Sequence, residues 1–175
     1  MYYRVRKELI INKSKTIIVI LAGGQSRRFG GGYKTLYTFN KISILDRIIQ
    51  NFKKLEVEIV LNANSNEDQF LKTGLHLIKD ELENFQGPLA GIYSSMKWAL
   101  ENRKNIEWIF TSPSDTPFLN KSLVNKFLST NYNNKTNIVI AKSSNKTHPV
   151  IGFWHISLIK SLSIIFFAIF DAGIG

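Results

Sequence analysis

The 175-residue chain contains no cysteine. A disulfide framework, thiolate catalysis and Cys-ligated zinc are thereby excluded, and a reducing compartment fits. Acidic residues are scarce: 13 Asp and Glu stand against 23 Lys and Arg, a net charge of +10. Such a surplus attracts polyanions such as nucleic acid, nucleotides or phosphorylated substrates. The chain is also rich in Ile, Asn and Lys, a compositional bias that makes the charge a weak signal alone, and no nucleic-acid recognition motif accompanies it. Long apolar runs are missing too. Residues 17–22, IIVILA, follow a basic N-terminus but end in GGQSRR rather than a cleavage-type site. IIFFAIF, 164–170, falls far short of the roughly 20 apolar residues a spanning helix needs. A soluble, cytoplasmic protein is expected.

What is present suits one globular domain: 44% hydrophobic and 21% charged residues, with no internal repeat and no low-complexity linker. Short, nearly continuous apolar runs read as strands of a sheet covered on both faces: IIVIL (17–21), EIVLN (58–62), LHLIK (75–79), EWIFTS (107–112) and NIVIA (137–141). Between them lie helix-period segments. SILDRIIQNFKKL puts Ile44, Leu45, Ile48, Ile49, Phe52 and Leu55 on one stripe, and Ser43 with Asp46 resembles a capping box. SNEDQFLKTG starts at Ser65 and stops at Gly74; PLAGIYSSMKWALEN opens on Pro88; KSLVNKFLST is a further helix. The alternation predicts a three-layer α/β domain with a mainly parallel sheet, whose ligands bind outside the carboxyl ends of the strands.

At the first of those ends stands LAGGQSRRFGGGYK, residues 21–34, with five glycines, two arginines and a lysine. A Walker A loop is excluded, because Arg28 and Tyr33 occupy its two glycine positions ahead of Lys34-Thr35. GGQSRRFG does not match the dinucleotide fingerprint either. Glycines after a buried strand let backbone N–H groups approach phosphate oxygens, and Arg27, Arg28 and Lys34 would neutralise a triphosphate. A mobile basic turn has the same composition; the position after a buried strand favours the phosphate loop.

This loop resembles the signature of the molybdenum cofactor guanylyltransferases, nucleotidyltransferases related to the sugar-nucleotide pyrophosphorylases. VLNAN (60–64), LIKDELENFQGPLAGI (77–92), SPSDTPFL (112–119) and HPVIGFW (148–154) follow in the family's order, so the resemblance runs from about residue 16 to about residue 158. It implies a three-layer α/β/α Rossmann-like nucleotidyltransferase fold, in a single domain over 16–175 after an N-terminal extension of residues 1–15. It implies transfer of GMP from GTP to molybdopterin, giving the guanine dinucleotide cofactor and pyrophosphate. GTP and molybdopterin would be the partners of a monomer in transient contact with molybdoenzyme delivery proteins, with no nucleic acid and no membrane. Family nucleotide contacts fall on Leu21, Ala22, Gly23, Lys34, Asn62, Asp80 and Asp115. Lys34 and Asp115 would be catalytic, and Asp115 would bind Mg²⁺.

The residues support these roles unequally. Asp115 follows a strand and would sit at the sheet's carboxyl edge, where Mg²⁺ held by one or two carboxylates and phosphate oxygens is well placed. Asp80 also ends a strand, and a helix-capping or loop-solvating role competes evenly with accepting bonds from ribose or base or helping with the metal. Asn62 alone is ordinary turn chemistry; only the family mapping singles it out. Gly87, Pro88 and Gly91 suit a turn into a helix, and Gly91 equally suits close packing of helix on sheet. His148 lies in the segment that the resemblance puts near the pterin and receives no catalytic role. Trp98, Trp108 and Trp154 are expected in the core.

Two departures from the family stand out. Tyr33 precedes Lys34 where relatives commonly carry an aspartate. After about residue 158 the family continues through a helix, a strand and a polar Asn-containing motif, whereas SLSIIFFAIFDAGIG is apolar and reads as an atypical or truncated end. Three alternatives follow: a catalytically inert nucleotide-binding remnant, a cytidylyltransferase on the same cofactor, or a sugar-phosphate nucleotidyltransferase.

Overall fold

The computed structural model describes residues 8–23, 34–65, 68–81, 87–119 and 121–171; for Lys34 and residues 167–171 only the backbone is described. Its centre is β2 (Thr16–Leu21), flanked on one side by β5 (Glu58–Asn62) and on the other by β7 (Trp108–Pro113), both parallel to it. β6 (His76–Ile78) extends the sheet beyond β5, again parallel. Beyond β7 lie β10 (Lys146–His155) and then β9 (Ile138–Ser143), giving the order β6-β5-β2-β7-β10-β9. β10 is antiparallel to both neighbours, so β9 runs in the sense of the parallel strands. The mainly parallel sheet expected from the sequence is therefore present, with β10 reversed near one edge.

The near-continuous apolar character of β2 has a simple cause. Successive side chains point to opposite faces, and both faces are covered. Ile18 and Ile20 join one core with Leu45, Ile48, Ile49 and Phe52 of α1 (Ile44–Lys53) and with Val124 of α4 (Lys121–Leu128). Ile17 and Val19 join the other with Ile92, Met96 and Ala99 of α3 (Pro88–Asn102) and Leu162 and Phe166 of α5 (Ile159–Asp171). Thus α1 and α4 form one outer layer and α3 and α5 the other. The apolar tail is a helix packed on α3, with Phe166 edge-on to Tyr93 at 5.4 Å.

Local signals act as the sequence suggests. Ser43 Oγ accepts the Asp46 N–H at 2.9 Å and donates to the Asp46 carboxylate at 2.7 Å, capping α1. Pro88 is the first residue of α3. The segment from Ser65 to Gly74 yields only a short helix, α2 (Asp68–Leu71), and Gly74 takes φ +69° beyond it. Two small antiparallel pairs lie outside the main sheet: a hairpin of β3 (Thr38–Phe39) with β4 (Ile42–Ser43), and a long-range pairing of β1 (Glu8–Leu9) with β8 (Tyr132–Asn133). Ile11, just after β1, is buried in the α1-side core. Trp108 and Trp154 are buried as expected. Trp98 is not: it is half-buried between the His76 ring, 4.7 Å away, and the Arg103 guanidinium at 4.8 Å.

Candidate functional site

The four adjacent parallel strands end together at one edge. From β2 the chain passes first to β5 and β6 on one side, then returns to β7 on the other, so the strand order reverses at β2. Such a reversal opens a crevice outside the strand ends. Of the family-implied residues, Leu21, Ala22, Gly23, Asn62, Asp80 and Asp115 lie at this edge, at or just beyond the ends of β2, β5, β6 and β7.

Leu21 is the last residue of β2 and pairs with Asn62 on one side and Pro113 on the other. Ala22 is buried, and its N–H donates to the Asn62 carbonyl at 2.7 Å, carrying the chain over the end of β5. Gly23 follows; a Cβ there would stand 3.8 Å from Asp80 Oδ2 and from Asn64 Nδ2, and 3.9 Å from Asn62 Oδ1. Gly23, Asn62 and Asp80 are therefore brought together, from the ends of three neighbouring strands. Residues 24–33, including Arg27, Arg28 and Tyr33, lie outside the described residues. Lys34 opens a single 3₁₀ turn ending at Leu36.

Asp80 is held by two neutral amides. Asn62 Nδ2 donates to Asp80 Oδ1 at 2.8 Å and to the Ile78 carbonyl at 3.2 Å. Asn64 Nδ2 donates to Asp80 Oδ2 at 2.8 Å, and Asn64 Oδ1 accepts the Asp80 N–H at 2.8 Å. Asn64 was not singled out from the sequence, although VLNAN contains the signal. Two asparagines two residues apart at a strand end present their side chains on the same side.

Helix α3 locks this arrangement from beneath. A Cβ on Gly91 would fall inside contact distance of Asn62 Oδ1 and 3.0 Å from Leu21 Cδ2. The close-packing reading of Gly91 is thus the one realised, and the surface it packs against is Asn62 itself. One turn further on, buried Ser94 Oγ accepts the Glu81 N–H at 3.0 Å, and Lys97 pairs with the Glu81 carboxylate at 2.7 Å. These contacts fix the chain leaving Asp80.

Asp115 lies across β2 from this group, in the turn after β7. The turn is tied to the strand switch by Ser114 N–H donating to the Leu21 carbonyl at 3.0 Å, and Thr116 Oγ1 donates to the Pro113 carbonyl at 2.9 Å. Asp115 itself is exposed. Among the described residues no three His, Asp or Glu side chains form a ready metal cage. His148 lies in β10, where its Nε2 is 2.7 Å from Ser143 Oγ. Between His148 and Gly152 the register with β9 shifts: β10 advances four residues while β9 advances one. Pro149, which lacks an N–H, lies within that irregularity. No helix among the described residues is long and apolar enough to cross a membrane.

Residues 18–165 match the family model described as the MobA-like NTP transferase domain. The molybdenum cofactor guanylyltransferase of Nitrobacter hamburgensis is 39% identical over 144 residues, covering 82% of this chain and 69% of that protein. The protein of the same name from Rhodopseudomonas palustris (strain BisB5) is 36% identical over 139 residues, covering 79% and 66% respectively. The chain spans about two thirds of the length of these relatives. In three dimensions it is similar to a solved structure from Mycobacterium sp. strain JC1, with TM-score 0.68 at 19% identity over 87% of this chain and 75% of that one. That likeness concerns the fold, and the sequence matches carry the family: the chain belongs to the MobA-like NTP transferases.

Proposed function

We propose that this protein transfers GMP from GTP to molybdopterin, releasing pyrophosphate and forming the guanine dinucleotide form of the molybdenum cofactor. The observation that carries the proposal is the carboxyl edge of the sheet. Gly23, Asn62 and Asp80 converge there from three strand ends, and the Asp115 turn is pinned to the same β2 terminus. Relatives 36–39% identical bear the guanylyltransferase name, which supports this reading over other nucleotidyl transfers.

In this mechanism the terminal phosphate of molybdopterin attacks the α-phosphorus of GTP in line. The new P–O bond forms as the bond from the α-phosphorus to the α,β-bridging oxygen breaks, and the electron pair leaves with pyrophosphate. Group transfer of this kind needs positioning and charge neutralisation rather than a covalent enzyme intermediate. Leu21, Ala22 and Gly23 bring backbone to the triphosphate, Asp80 accepts bonds from the nucleoside, and Asn62 holds Asp80. Lys34, with Arg27 and Arg28, balances the charge on the leaving pyrophosphate.

An exposed carboxylate such as Asp115 beside a triphosphate would repel it unless a cation neutralised the charge. Asp115 fits that need: it is a hard oxygen donor and accessible, suited to a cation that takes its other ligands from phosphate and water. Asp115 would hold Mg²⁺, which when bound supplies charge neutralisation at the phosphates. The reading puts the protein in the cytoplasm, acting as a monomer on two small-molecule substrates.

The test is incubation with molybdopterin, Mg²⁺ and each nucleoside triphosphate in turn, following pyrophosphate. Release with GTP well above that with CTP or UTP is expected. Equal release with all, or release with CTP alone, overturns the assignment, and GTP binding without turnover makes the chain a nucleotide-binding remnant.

A further inference from the structure

We propose that Asn64 is a positioning residue that sets nucleoside selectivity by fixing the plane of the Asp80 carboxylate; the inference rests on the nucleotide-binding reading of this edge. A carboxylate at the end of a short side chain turns readily about its last torsion, which has broad minima. Here both oxygens are gripped separately. Asn62 Nδ2 donates to Oδ1 and Asn64 Nδ2 to Oδ2, each at 2.8 Å. The Asp80 N–H, donating to Asn64 Oδ1 at 2.8 Å, adds a third point and makes the Asn64–Asp80 contact reciprocal. Closing the turn would need only that last bond. The amide bond to the carboxylate goes beyond turn closure.

The two asparagines are not equivalent. Asn62 is buried at 2% exposure and spends both N–H donors, on Ile78 and Asp80. Gly91 packs directly against it, where a Cβ would collide with its Oδ1. Asn64 is exposed, and both ends of its amide engage Asp80. An ionised carboxylate has about four acceptor positions. The two amides take one on each oxygen, leaving a fixed pair beside Gly23, where Oδ2 stands 3.8 Å from the position a Cβ would occupy. A fixed pair of acceptors matches a ligand with two adjacent donors. Guanine offers N1–H and the 2-amino group; a ribose offers its two hydroxyls.

The experiment measures binding of GTP, inosine triphosphate and 2′-deoxy-GTP with Mg²⁺, for the unmodified chain and for Asn64→Ala and Asn64→Asp, with thermal unfolding in parallel. Inosine lacks the 2-amino group and deoxyguanosine lacks one hydroxyl. Asn64→Ala is expected to weaken GTP by ~5–10-fold, the order of one lost hydrogen bond, while shrinking the preference for GTP over one of the two analogues. Which analogue changes identifies base or ribose as the group read. Asn64→Asp is expected to bind poorly at pH 8 and to regain affinity toward about pH 5.5, relative to the unmodified chain. There the introduced carboxyl carries a proton and donates to Asp80 as the amide did. Unchanged affinities in Asn64→Ala, or an equal loss for all three nucleotides, overturn the inference. If the unmodified chain binds no GTP, the functional reading fails and this inference with it, an outcome distinct from any change confined to the variants.

Discussion

The two ends of the sheet carry carboxylates in opposite circumstances. At the amino end, Glu58 opens β5 and Glu107 directly precedes β7, and each meets a cation. Arg103, capping α3, grips Glu58 with Nε and Nη2 at 2.8 and 2.7 Å, while Lys15, preceding β2, pairs with Glu107. Arg103 is also stacked on Trp98, so charge and aromatic face are both satisfied there. At the carboxyl end, Asp80 is held by uncharged amides and Asp115 is exposed, and among the described residues neither forms an ion pair. At the amino end both carboxylates are charge-paired; at the carboxyl end Glu81 pairs with Lys97, whereas Asp80 and Asp115 meet no cation among the described residues. Closing charges stabilises a fold modestly. Leaving charges open prepares a site for cations and for donors on a ligand.

The sharpest way to break that contrast is to neutralise Asp115. Asp115→Asn keeps size and turn chemistry but removes the charge assigned to the metal. GMP transfer is expected to fall roughly a hundredfold or more, since metal-assisted charge stabilisation amounts to several kcal/mol. Thermal unfolding should be unchanged, because the side chain is exposed. Pyrophosphate release at saturating Mg²⁺ checks it, and undiminished transfer would remove Asp115 from the mechanism.

How much of this was legible beforehand depended on whether the cause was local. The run TIIVIL is apolar at every face because β2 is central, and that pattern reads directly as a covered strand. Ser43 and Asp46 cap α1 through contacts three residues apart, and Pro88 marks the first turn of α3. The antiparallel β9–β10 edge was not legible, because an apolar run does not reveal strand direction and the irregularity at 149–151 depends on the partner strand. Asn64 was missed for a related reason. Its partner lies sixteen residues away and comes within reach only through the β5–β6 register, in which Asn62 faces Ile78. Asp80 alone offered two even readings, and the two amides that grip its carboxylate are likewise legible only in three dimensions.

An intermediate effect is expected where the open edge depends on packing. Gly91→Ala places a methyl group against Asn62 Oδ1 and Leu21, so either α3 lifts or the asparagine turns. Overpacking at such a contact costs about 1–3 kcal/mol. If the Asn62 amide is what yields, nucleotide affinity falls more than stability does, because the grip on Asp80 loosens. Nucleotide titration beside thermal unfolding separates the two. A loss of stability with intact affinity would mean that the helix, rather than the amide, absorbs the strain.

The smallest effect is reserved for the closed edge. Glu58→Gln removes one charge of the Arg103 pair while leaving a hydrogen-bonding side chain of similar size. Both partners are about 40% exposed, so solvent already screens much of their attraction. The unfolding temperature is expected to drop by no more than about 2–3 °C in low salt and by less in high salt. Transfer of GMP should be unaffected, because the pair lies at the opposite end of β5 from Asn62. Loss of activity without loss of stability would show that the two edges communicate along the strand. That result would end the division of labour between a closed edge that steadies the sheet and an open one proposed to receive substrate.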